Sequence, residues 1–535
     1  MTDPADALIS LWGGHSDPRC FLQAFMDVVE ERPDDVAVVD GRRSVTYTQL
    51  LGWVRAVADL LADYGVAPTE PVAVTGPRSA HTVAAMLGIT WIGAVFVPLD
   101  PDYPERRLEF MIHDCGARLL LHSGGVPELG RAAVTRIAIP HSASATGDRT
   151  GVRTGQAPVN CHPDLPFYMI YTSGSTGWPK GVSIPHSCLD NMAEWQANHS
   201  PRPDLRTAQF APLNFDVSFQ EILGTLRGGG TLVVMPEHLR REAVSLLTWL
   251  GEHRIERLFL PYVALQMLAV AASAEPSLDH LRLREVNTAG EQVVTTRQIR
   301  DLFRRLPGAR LVNHYGQSES AMVTSHILPT DVNAWPLLPP IGVPLPGCEV
   351  LVARDGRYET GVGELLVAGL PLALGYLNQP ELNAERYRTM KPTPRGHTEV
   401  FHTGDLVRVE DGVLSFLSRL DTDVKIRGIR VNLAEVDAQL LTQPGVDSAA
   451  CVVLEGVPGS RTLRAAVTAP TVGPEPDLAS VAEHLRRVLP EAALPLSITL
   501  LPELPCTPSG KTDRDAVGVL ILDSLRARRL SISDI

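Results

Sequence analysis

The first half of the chain alternates short apolar runs with segments whose apolar residues recur every three or four positions. Val36–Asp40 and Pro71–Thr75 are apolar and rich in valine, which predicts buried strands. Thr48–Tyr64 between them has helical periodicity, and Gly65 stands where a helix commonly ends. Because strands that alternate with helices usually pair in parallel, this order predicts an α/β fold with largely parallel sheets.

The chain has 535 residues, enough for a large body and a smaller second domain. A strand-like run at Gly412–Leu417 precedes a compact segment of strands and helices, so we place a boundary near Asp421. We expect residues 1–420 to form a large N-terminal body of mostly parallel or mixed sheets with helices. Residues 421–535 are expected to form a small, mobile α+β domain that covers the larger one.

Charge and hydropathy exclude several classes of protein. The net charge of −13 opposes general binding to nucleic acid, which requires a basic surface. The longest nearly continuous apolar run, Met86–Leu99, is too short to span a bilayer, and Met1–Gly14 does not read as a signal peptide. Seven cysteines, with no CxxC spacing, argue against a disulfide framework or a zinc site. We therefore expect a cytoplasmic protein with no nucleic-acid or membrane partner.

A loop rich in glycine, serine and threonine is the strongest chemical signal. The apolar run Phe167–Tyr171 leads directly into Thr172–Gly181, which contains Lys180. Glycines let backbone N–H groups turn toward an anion, hydroxyls add donors, and the lysine adds charge, so this loop predicts phosphate binding. It does not match the GxxxxGK[ST] pattern of Walker-type enzymes. Lysine is rare in this chain, with four against 44 arginines.

The motif "YTSGSTGWPKGV" and a series of later motifs resemble the adenylate-forming superfamily. That superfamily includes acyl-CoA synthetases, luciferases and the adenylation domains of nonribosomal peptide synthetases. The motifs follow in the expected order along most of the chain: "VTYTQL", "GAVFVPLDPDYPERRL", "FDVSFQEI", "NTAGE", "NHYGQSES", "GELLVAG", "FHTGDL", "LSRLDTDVKIRGIRV" and "PSGKTDR". The resemblance implies a free-standing adenylation enzyme of the nonribosomal peptide synthetase type, which uses ATP and Mg²⁺.

The resemblance also implies residue roles at the matching positions. The expected nucleotide and metal residues are Thr172, Ser173, Gly174, Ser175, Thr176, Gly177 and Lys180 for the β- and γ-phosphates, Tyr315, Gly290 and Glu291 around the adenine, Ser318 for phosphate, Glu319 for Mg²⁺, and Asp405 with Arg419 for the ribose. Lys511 is expected to be catalytic and to reach the substrate carboxylate and the α-phosphate. A positive charge there would stabilise the negative charge that develops as carboxylate attacks phosphorus.

Five positions depart from the usual pattern of the family. They are Gln317 in place of proline, Ser318 in place of threonine, His402 in place of arginine or lysine, Leu374 in place of arginine, and Ser509 in place of asparagine. Ser318 keeps the hydroxyl, and the departures leave Asp405, Glu319 and Lys511 intact. We therefore expect an active enzyme.

Asp216 in "FDVS" points to an amino acid as substrate. In amino-acid-activating relatives this aspartate pairs with the substrate ammonium, and a buried carboxylate needs such a partner. The implied pocket consists of Asp216, Val217, Gln220, Phe259, Asn287, Ala289, His314, Met322 and Val323. This set is similar to that of proline-activating domains, so we expect proline or a related cyclic imino acid; alanine or another small amino acid stays open.

The expected reaction forms an aminoacyl-adenylate and then transfers the acyl group to the phosphopantetheine thiol of a separate carrier protein. Leu522–Leu525 resembles the phosphopantetheine site of a carrier but follows Lys511 too closely to belong to one. Asp421 occupies the hinge position of the family. Two alternatives remain: an acyl- or aryl-CoA ligase, and a catalytically silent binding protein.

Overall fold

The structure is a computed structural model that describes residues 8–125, 129, 133–140, 162–173, 178–353, 360–420, 423–426, 429–455, 461–470, 473–505 and 512–533. The helices are α1 Phe21–Glu31, α2 Tyr47–Asp63, α3 Ala80–Trp91, α4 Glu105–Cys115, α5 His186–His199, α6 Asp216–Arg227, α7 Ala243–Glu252, α8 Tyr262–Ala274, α9 Arg297–Arg304, α10 Pro380–Arg386, α11 Leu433–Leu441, α12 Leu478–Val488 and α13 Arg514–Ser533.

The strands as far as Gly369 are β1 Leu8–Trp12, β2 Val36–Asp40, β3 Arg43–Thr46, β4 Pro71–Thr75, β5 Val95–Leu99, β6 Leu119–His122, β7 Thr135–Ala138, β8 Pro166–Thr172, β9 Lys180–Pro185, β10 Arg206–Gln209, β11 Thr231–Val234, β12 Arg257–Leu260, β13 Glu285–Thr288, β14 Arg310–Gln317, β15 Ala321–Ile327, β16 Val343–Pro344, β17 Cys348–Ala353 and β18 Val362–Gly369. The later strands are β19 Tyr387–Thr389, β20 Glu399–Glu410, β21 Val413–Arg419, β22 Asp423–Ile426, β23 Ile429–Asn432, β24 Ser448–Glu455, β25 Arg461–Thr468 and β26 Ile498–Leu500.

Two mixed sheets form the centre of the molecule. One has the order β16-β15-β14-β13-β12-β10-β11-β2-β3, and its pairings from β14 to β2 are parallel. The other has the order β7-β6-β4-β5-β8-β9 and is parallel except for the β8–β9 hairpin. Helices α2, α3, α5 and α6 contribute buried apolar faces to a core that includes residues of both sheets. Parallel strands flanked by helices confirm the α/β fold.

A third sheet is antiparallel and has the order β1-β17-β18-β20-β19, with β21 paired to β20. Its core contains Val350, Val367 and Leu414. The chain after 423 forms smaller units: the β22–β23 hairpin and a sheet of order β24-β25-β26. Their apolar residues pack with α11 and α12 in a cluster of their own. This arrangement matches the predicted small α+β unit.

The early elements confirm the sequence predictions closely. Strands β2 and β4 have the predicted bounds, and the helix predicted at Thr48–Tyr64 begins at Tyr47 and ends at Asp63. It starts one residue early because Thr46 and Gln49 form a capping box. Gly65 follows with a φ of 65°, a conformation that glycine adopts without strain.

Among the cysteines that the structure describes, Cys115, Cys188, Cys348 and Cys451 are free and buried, whereas Cys20 is disulfide-bonded. The cysteine count does not predict the bond at Cys20. Within the described ranges, no helix is both long enough and apolar enough to cross a membrane.

Candidate active site

A cavity opens at the carboxyl ends of strands from both central sheets. Thr172 ends β8, Phe259 and Asn287 lie near the ends of β12 and β13, and the first turn of α6 closes one side. Ligands of open α/β sheets bind at the carboxyl ends of the strands, so the fold itself makes this cavity the candidate site. The small C-terminal unit also contributes, because Lys425 and Ile429 of its first hairpin line the cavity.

The predicted phosphate loop connects the two strands of the β8–β9 hairpin. Thr172 and Lys180 are paired residues of these strands, so the loop leaves and returns at the edge of the cavity. The Lys180 ammonium lies 3.3 Å from Oε1 of Glu319 and 4.3 Å from the centre of the Tyr376 ring. The Tyr376 hydroxyl donates to the same Glu319 oxygen at 2.9 Å. The structure thus brings together Lys180 and Glu319, which lie in two separate motifs of the sequence.

Beside the loop, Trp178 is 36% exposed and stacks on Phe110 of α4. Their ring centres are 4.8 Å apart and the planes differ by 20°. The contact attaches one end of the phosphate loop to the body of the protein.

Asp405 is the centre of a second group of polar side chains, which we call the Asp405 end of the cavity. Its carboxylate is 2% exposed and accepts hydrogen bonds from the Tyr315 hydroxyl at 2.5 Å and the Gln317 amide at 2.7 Å. Arg419 is its partner on the paired strand β21, with a guanidinium nitrogen 2.8 Å from Oδ1. Burial, reinforced by the Asp405 charge, raises the pKa of Tyr315 well above its usual range. The phenol is therefore a neutral donor.

The turn after Tyr315 requires glycine. A Cβ on Gly316 would lie 1.6 Å from the carbonyl oxygen of Ala321, and the pairing of β14 with β15 shifts register at this point. Ala321 itself has a φ of 43°, which is strained for a residue with a side chain. This tight turn places Gln317 and Ser318 at the cavity wall.

Asp216 lies in another part of the cavity wall, which we call the Asp216 end of the cavity. It is the first residue of α6, where the helix dipole favours negative charge, and its Oδ1 accepts a hydrogen bond from the Val217 backbone N–H at 2.8 Å. Burial raises the pKa of Asp216, while the Val217 N–H and the Lys425 ammonium act in the opposite direction. A carboxylate in this setting gains most from a cation that enters the cavity.

The predicted pocket residues, with one exception, line this cavity. Those that line it are Asp216, Val217, Gln220, Phe259, Asn287, Ala289, His314 and Met322. Val323 is fully buried but belongs to the apolar cluster of the antiparallel sheet, with Tyr315 and Ile341. Because successive residues of a strand point to opposite faces, Val323 lies on the far side of β15 from Met322. The sequence motif could not distinguish these two faces.

The floor of the pocket is a hydrogen-bonded layer of neutral polar side chains. The Gln220 amide nitrogen lies 2.8 Å from Oε1 of Gln196 and 3.2 Å from the sulfur of Met322. His314 Nε2 lies 2.9 Å from Oδ1 of Asn287. Burial lowers the pKa of His314 to about 4, so the ring is neutral near pH 7.

The small C-terminal unit is attached beside the cavity by a buried ion pair. Arg107 of α4 and Glu435 of α11 are 2.8 Å apart, and their side chains are 4% and 1% exposed. Both residues line the cavity. The neighbouring Tyr103 hydroxyl accepts a hydrogen bond from the Asn214 amide at 2.6 Å.

The remaining predicted nucleotide residues differ in their placement. Ser173, Gly290 and Arg419 line the cavity. Glu291 lies beside α8, where one carboxylate oxygen accepts the Val263 backbone N–H at 3.3 Å. Several predicted residues lie outside the described ranges: Gly174, Ser175, Thr176, Gly177, Asp421 and Lys511.

Buried polar atoms around the cavity fit a phosphorylated, hydroxylated ligand. Thr172 and Gln317 line the cavity, and the Thr172 hydroxyl and Oε1 of Gln317 are buried with no hydrogen-bond partner among the described residues. No group of three or more metal-ligating side chains occurs within those residues. A single carboxylate such as Glu319 is nevertheless appropriate for Mg²⁺, which proteins commonly hold through one or two carboxylates and the phosphates of a substrate.

Several residues that shape the site carry no motif signal. Gln196, Glu285 and Glu435 make contacts that join segments distant in the sequence, so no local pattern identifies them. Gln317 departs from the family pattern, and the structure gives it a contact with Asp405.

Comparison with known families agrees with this geometry. The family described as "AMP-binding enzyme" matches residues 25–377, and "AMP-binding enzyme C-terminal domain" matches residues 435–511. A polypeptide of the plipastatin synthase of Bacillus subtilis (strain 168) is 33% identical over 92% of this chain. The isonitrile lipopeptide synthase of Streptomyces coeruleorubidus is 36% identical over 94%. This chain spans 13% and 34% of the length of those two relatives.

Solved structures also resemble this chain. NpsA-ThdA, an artificially fused adenylation–PCP di-domain NRPS from Klebsiella oxytoca, has a TM-score of 0.78 at 25% identity, covering 90% of this chain and 87% of the other. The amide bond synthetase McbA from Marinactinospora thermotolerans has a TM-score of 0.77 at 25% identity, covering 93% and 98%. With its cavity at the carboxyl ends of the sheet strands and both family matches in order, the chain belongs to the AMP-binding enzyme family, as an adenylate-forming enzyme of the nonribosomal peptide synthetase type.

Proposed function

We propose that this enzyme activates an amino acid, most closely proline or a related cyclic imino acid, and passes it to the phosphopantetheine thiol of a carrier protein. The observation that carries the proposal is Asp216, a carboxylate whose pKa is raised by burial at the cavity wall. The ammonium of an amino acid supplies the opposite charge that this site favours. Neither a fatty acid nor an aryl acid offers such a group.

The pocket beyond Asp216 supports a compact aliphatic side chain. Val217, Phe259 and Met322 provide apolar contact, and the hydrogen-bonded floor of Gln220 and His314 limits its length. The secondary amine of a cyclic imino acid is still a cation at neutral pH, and its ring fills a short apolar space. Alanine would leave part of that space empty, which weakens its binding.

In the first half-reaction, a substrate carboxylate oxygen attacks the α-phosphorus of ATP, the bond to the β-phosphate breaks, and pyrophosphate leaves. Thr172, Ser173 and Lys180 would hold the departing phosphates, and Glu319 would hold Mg²⁺, which supplies charge neutralisation there. Tyr315, Asp405 and Arg419 would orient the nucleoside. Lys511 would bridge the substrate carboxylate and the α-phosphate.

In the second half-reaction, the carrier thiolate attacks the acyl carbon and AMP leaves. The first hairpin of the small unit lies at the cavity, where Lys425 acts electrostatically on Asp216. We assign residues 1–420 and 421–535 to two domains, with Asp421 as the hinge that lets the smaller one rotate between half-reactions. Relatives that combine adenylation and PCP domains support a carrier as acceptor.

Amino-acid-dependent ATP–pyrophosphate exchange tests the proposal. We expect exchange above the blank with L-proline, and less with D-proline, pipecolate and alanine. A second assay offers CoA and a phosphopantetheinylated carrier protein as acceptors of the adenylate, and the carrier should be preferred. Exchange only with acids that lack an amine would overturn the proposal in favour of an acyl- or aryl-CoA ligase. ATP binding without exchange for any acid would identify a silent binding protein.

A further inference from the structure

We propose that Glu285 and Gln196, which lie behind the pocket, are positioning residues that fix its depth and so restrict the enzyme to compact amino acids. The inference rests on the proposed function, because it concerns the amino-acid pocket of that reaction. Gln196 and Glu285 do not line the cavity themselves. They hold Gln220 and Asn287, which do.

Glu285 is an ionised carboxylate inside the protein. It is 1% exposed, and its oxygens accept hydrogen bonds from Arg257 Nε at 3.0 Å and Arg310 Nε at 2.9 Å. Burial alone would raise the pKa of Glu285, but the two guanidinium groups lower it below its ordinary value. Ser200 joins the group by donating to Oε1 of Glu285 at 3.1 Å while it accepts from Arg257 at 2.7 Å. The carboxylate can therefore only accept hydrogen bonds.

This charge fixes the orientation of two amides. Gln196 donates its amide nitrogen to Oε1 of Glu285 at 2.9 Å, so its own oxygen faces the other way and accepts from Gln220 at 2.8 Å. Asn287 donates to the same Glu285 oxygen at 3.2 Å, and its oxygen is left to accept from His314 Nε2 at 2.9 Å. The reversed amide orientation would in each case place a carbonyl oxygen against the Glu285 carboxylate, which can only accept hydrogen bonds. Glu285 therefore sets the orientation of Asn287 directly and that of Gln220 through Gln196.

Packing leaves Gln196 little room to move. Helices α5 and α6 approach closely at Gly224, where a Cβ would lie 3.1 Å from Cγ of Gln196. Trp195 adds an edge contact to the His314 ring, with ring centres 5.5 Å apart. A longer substrate side chain would have to displace Gln220 or His314 and leave a buried polar group without its partner. The floor of the pocket therefore limits the length of the substrate side chain.

The test substitutes Gln196→Met, which keeps roughly the same volume and removes the amide hydrogen bonds to Glu285 and Gln220. The matched control is Gln209→Met: Gln209 is also fully buried, and neither of its amide atoms has a hydrogen-bond partner among the described residues. Exchange kinetics are measured with proline, leucine, methionine and phenylalanine. We expect Gln196→Met to lower the kcat/KM ratio of proline to the longer amino acids by roughly 10-fold. The change should lie in the KM for amino acids, with the KM for ATP unchanged, and Gln209→Met should keep the wild-type ratio.

A second variant, Glu285→Gln, replaces one of the two acceptor oxygens by an NH2 group in a position surrounded by donors, and should relax selectivity further. Should it fail to fold, Gln196→Met still decides the question. An unchanged selectivity ratio in a folded, active Gln196→Met enzyme would overturn the inference. Wild-type protein that shows no exchange with any amino acid would instead contradict the proposed function, so the two failures are distinguishable.

Discussion

The Asp405 end and the Asp216 end of the cavity hold their polar groups in different ways. At the Asp405 end, charged side chains are paired with each other, since a guanidinium nitrogen of Arg419 lies 2.8 Å from Oδ1 of Asp405. At the Asp216 end, the polar part of the cavity wall consists mainly of neutral amides and an imidazole whose orientation is set by Glu285, which lies behind them. Asp216 is the acidic exception there.

This difference shows how each end can recognise its ligand. The charged side chains at the Asp405 end already have partners of opposite charge in the ligand-free protein. No unpaired charge is therefore buried there before a ligand binds. The Asp216 end has a fixed shape and one buried carboxylate, so under the proposed function it would select a substrate by its size and by a single positive charge. The first arrangement suits a ligand common to the whole family. The second suits a substrate that differs from one relative to the next.

The largest expected effect comes from removing the single charge of the Asp216 end. Asp216→Asn should reduce kcat/KM for the amino acid by about 100-fold or more, because the substrate ammonium loses its buried partner. The KM for ATP should stay within about twofold, as the Asp405 end is untouched. ATP–pyrophosphate exchange measured at varied amino acid and at varied ATP gives both KM values. A loss that fell equally on ATP would remove the distinction between the two ends.

The stability of Asp216→Asn relative to the wild type should depend on pH. Burial raises the pKa of Asp216 in the folded protein above its value in the unfolded chain. Above the folded-state pKa, the ionised carboxylate therefore lowers the free energy of unfolding of the substrate-free protein. Below the unfolded-state pKa, the carboxyl group is protonated in both states and this destabilisation is absent. Asp216→Asn should therefore unfold at a higher temperature than the wild type at neutral pH, and the gap should close as pH falls. In the wild type, the KM for the amino acid should rise as pH falls through the Asp216 pKa.

A smaller effect is expected from Gln317, which contacts Asp405. Gln317→Ala removes a hydrogen bond of 2.7 Å to a charged group, worth about 1.5–3 kcal/mol. We expect the preference for ATP over 2′-deoxyATP to fall by roughly 10-fold, because Asp405 is held less firmly for the ribose. The KM for the amino acid serves as the internal control. An unchanged preference would mean that Gln317 only fills space.

The smallest effect concerns the stacked pair at the phosphate loop. Aromatic pairs contribute about 0.5–1.5 kcal/mol beyond their burial, and Trp178 is partly exposed. Trp178→Ala should therefore raise the KM for ATP by roughly twofold to tenfold, with kcat and amino-acid selectivity nearly unchanged. Steady-state exchange at varied ATP is sufficient to detect it. A change in selectivity would show that the loop and the amino-acid pocket are coupled.

Motifs and periodicity predicted the parts of this molecule that are local in sequence. The strands β2 and β4 and helix α2 follow from short segments with clear patterns. The hydrogen-bonded group around Glu285 had no such signal, because its members come from α5, β12, β13 and β14 and meet only in the folded chain. Val323 shows the limit of carrying a position over by motif, since one step along a strand reverses the direction of the side chain.

The buried pair of Arg107 and Glu435 has a consequence for the timing of the catalytic cycle. Two charges that are 4% and 1% exposed cannot be separated by a small distance without leaving each one desolvated and alone. Partial withdrawal of the C-terminal unit is then less favourable than either full contact or full release into water. If the unit rotates as proposed, its movement should therefore be abrupt, with a dwell time in the arrangement that keeps this ion pair.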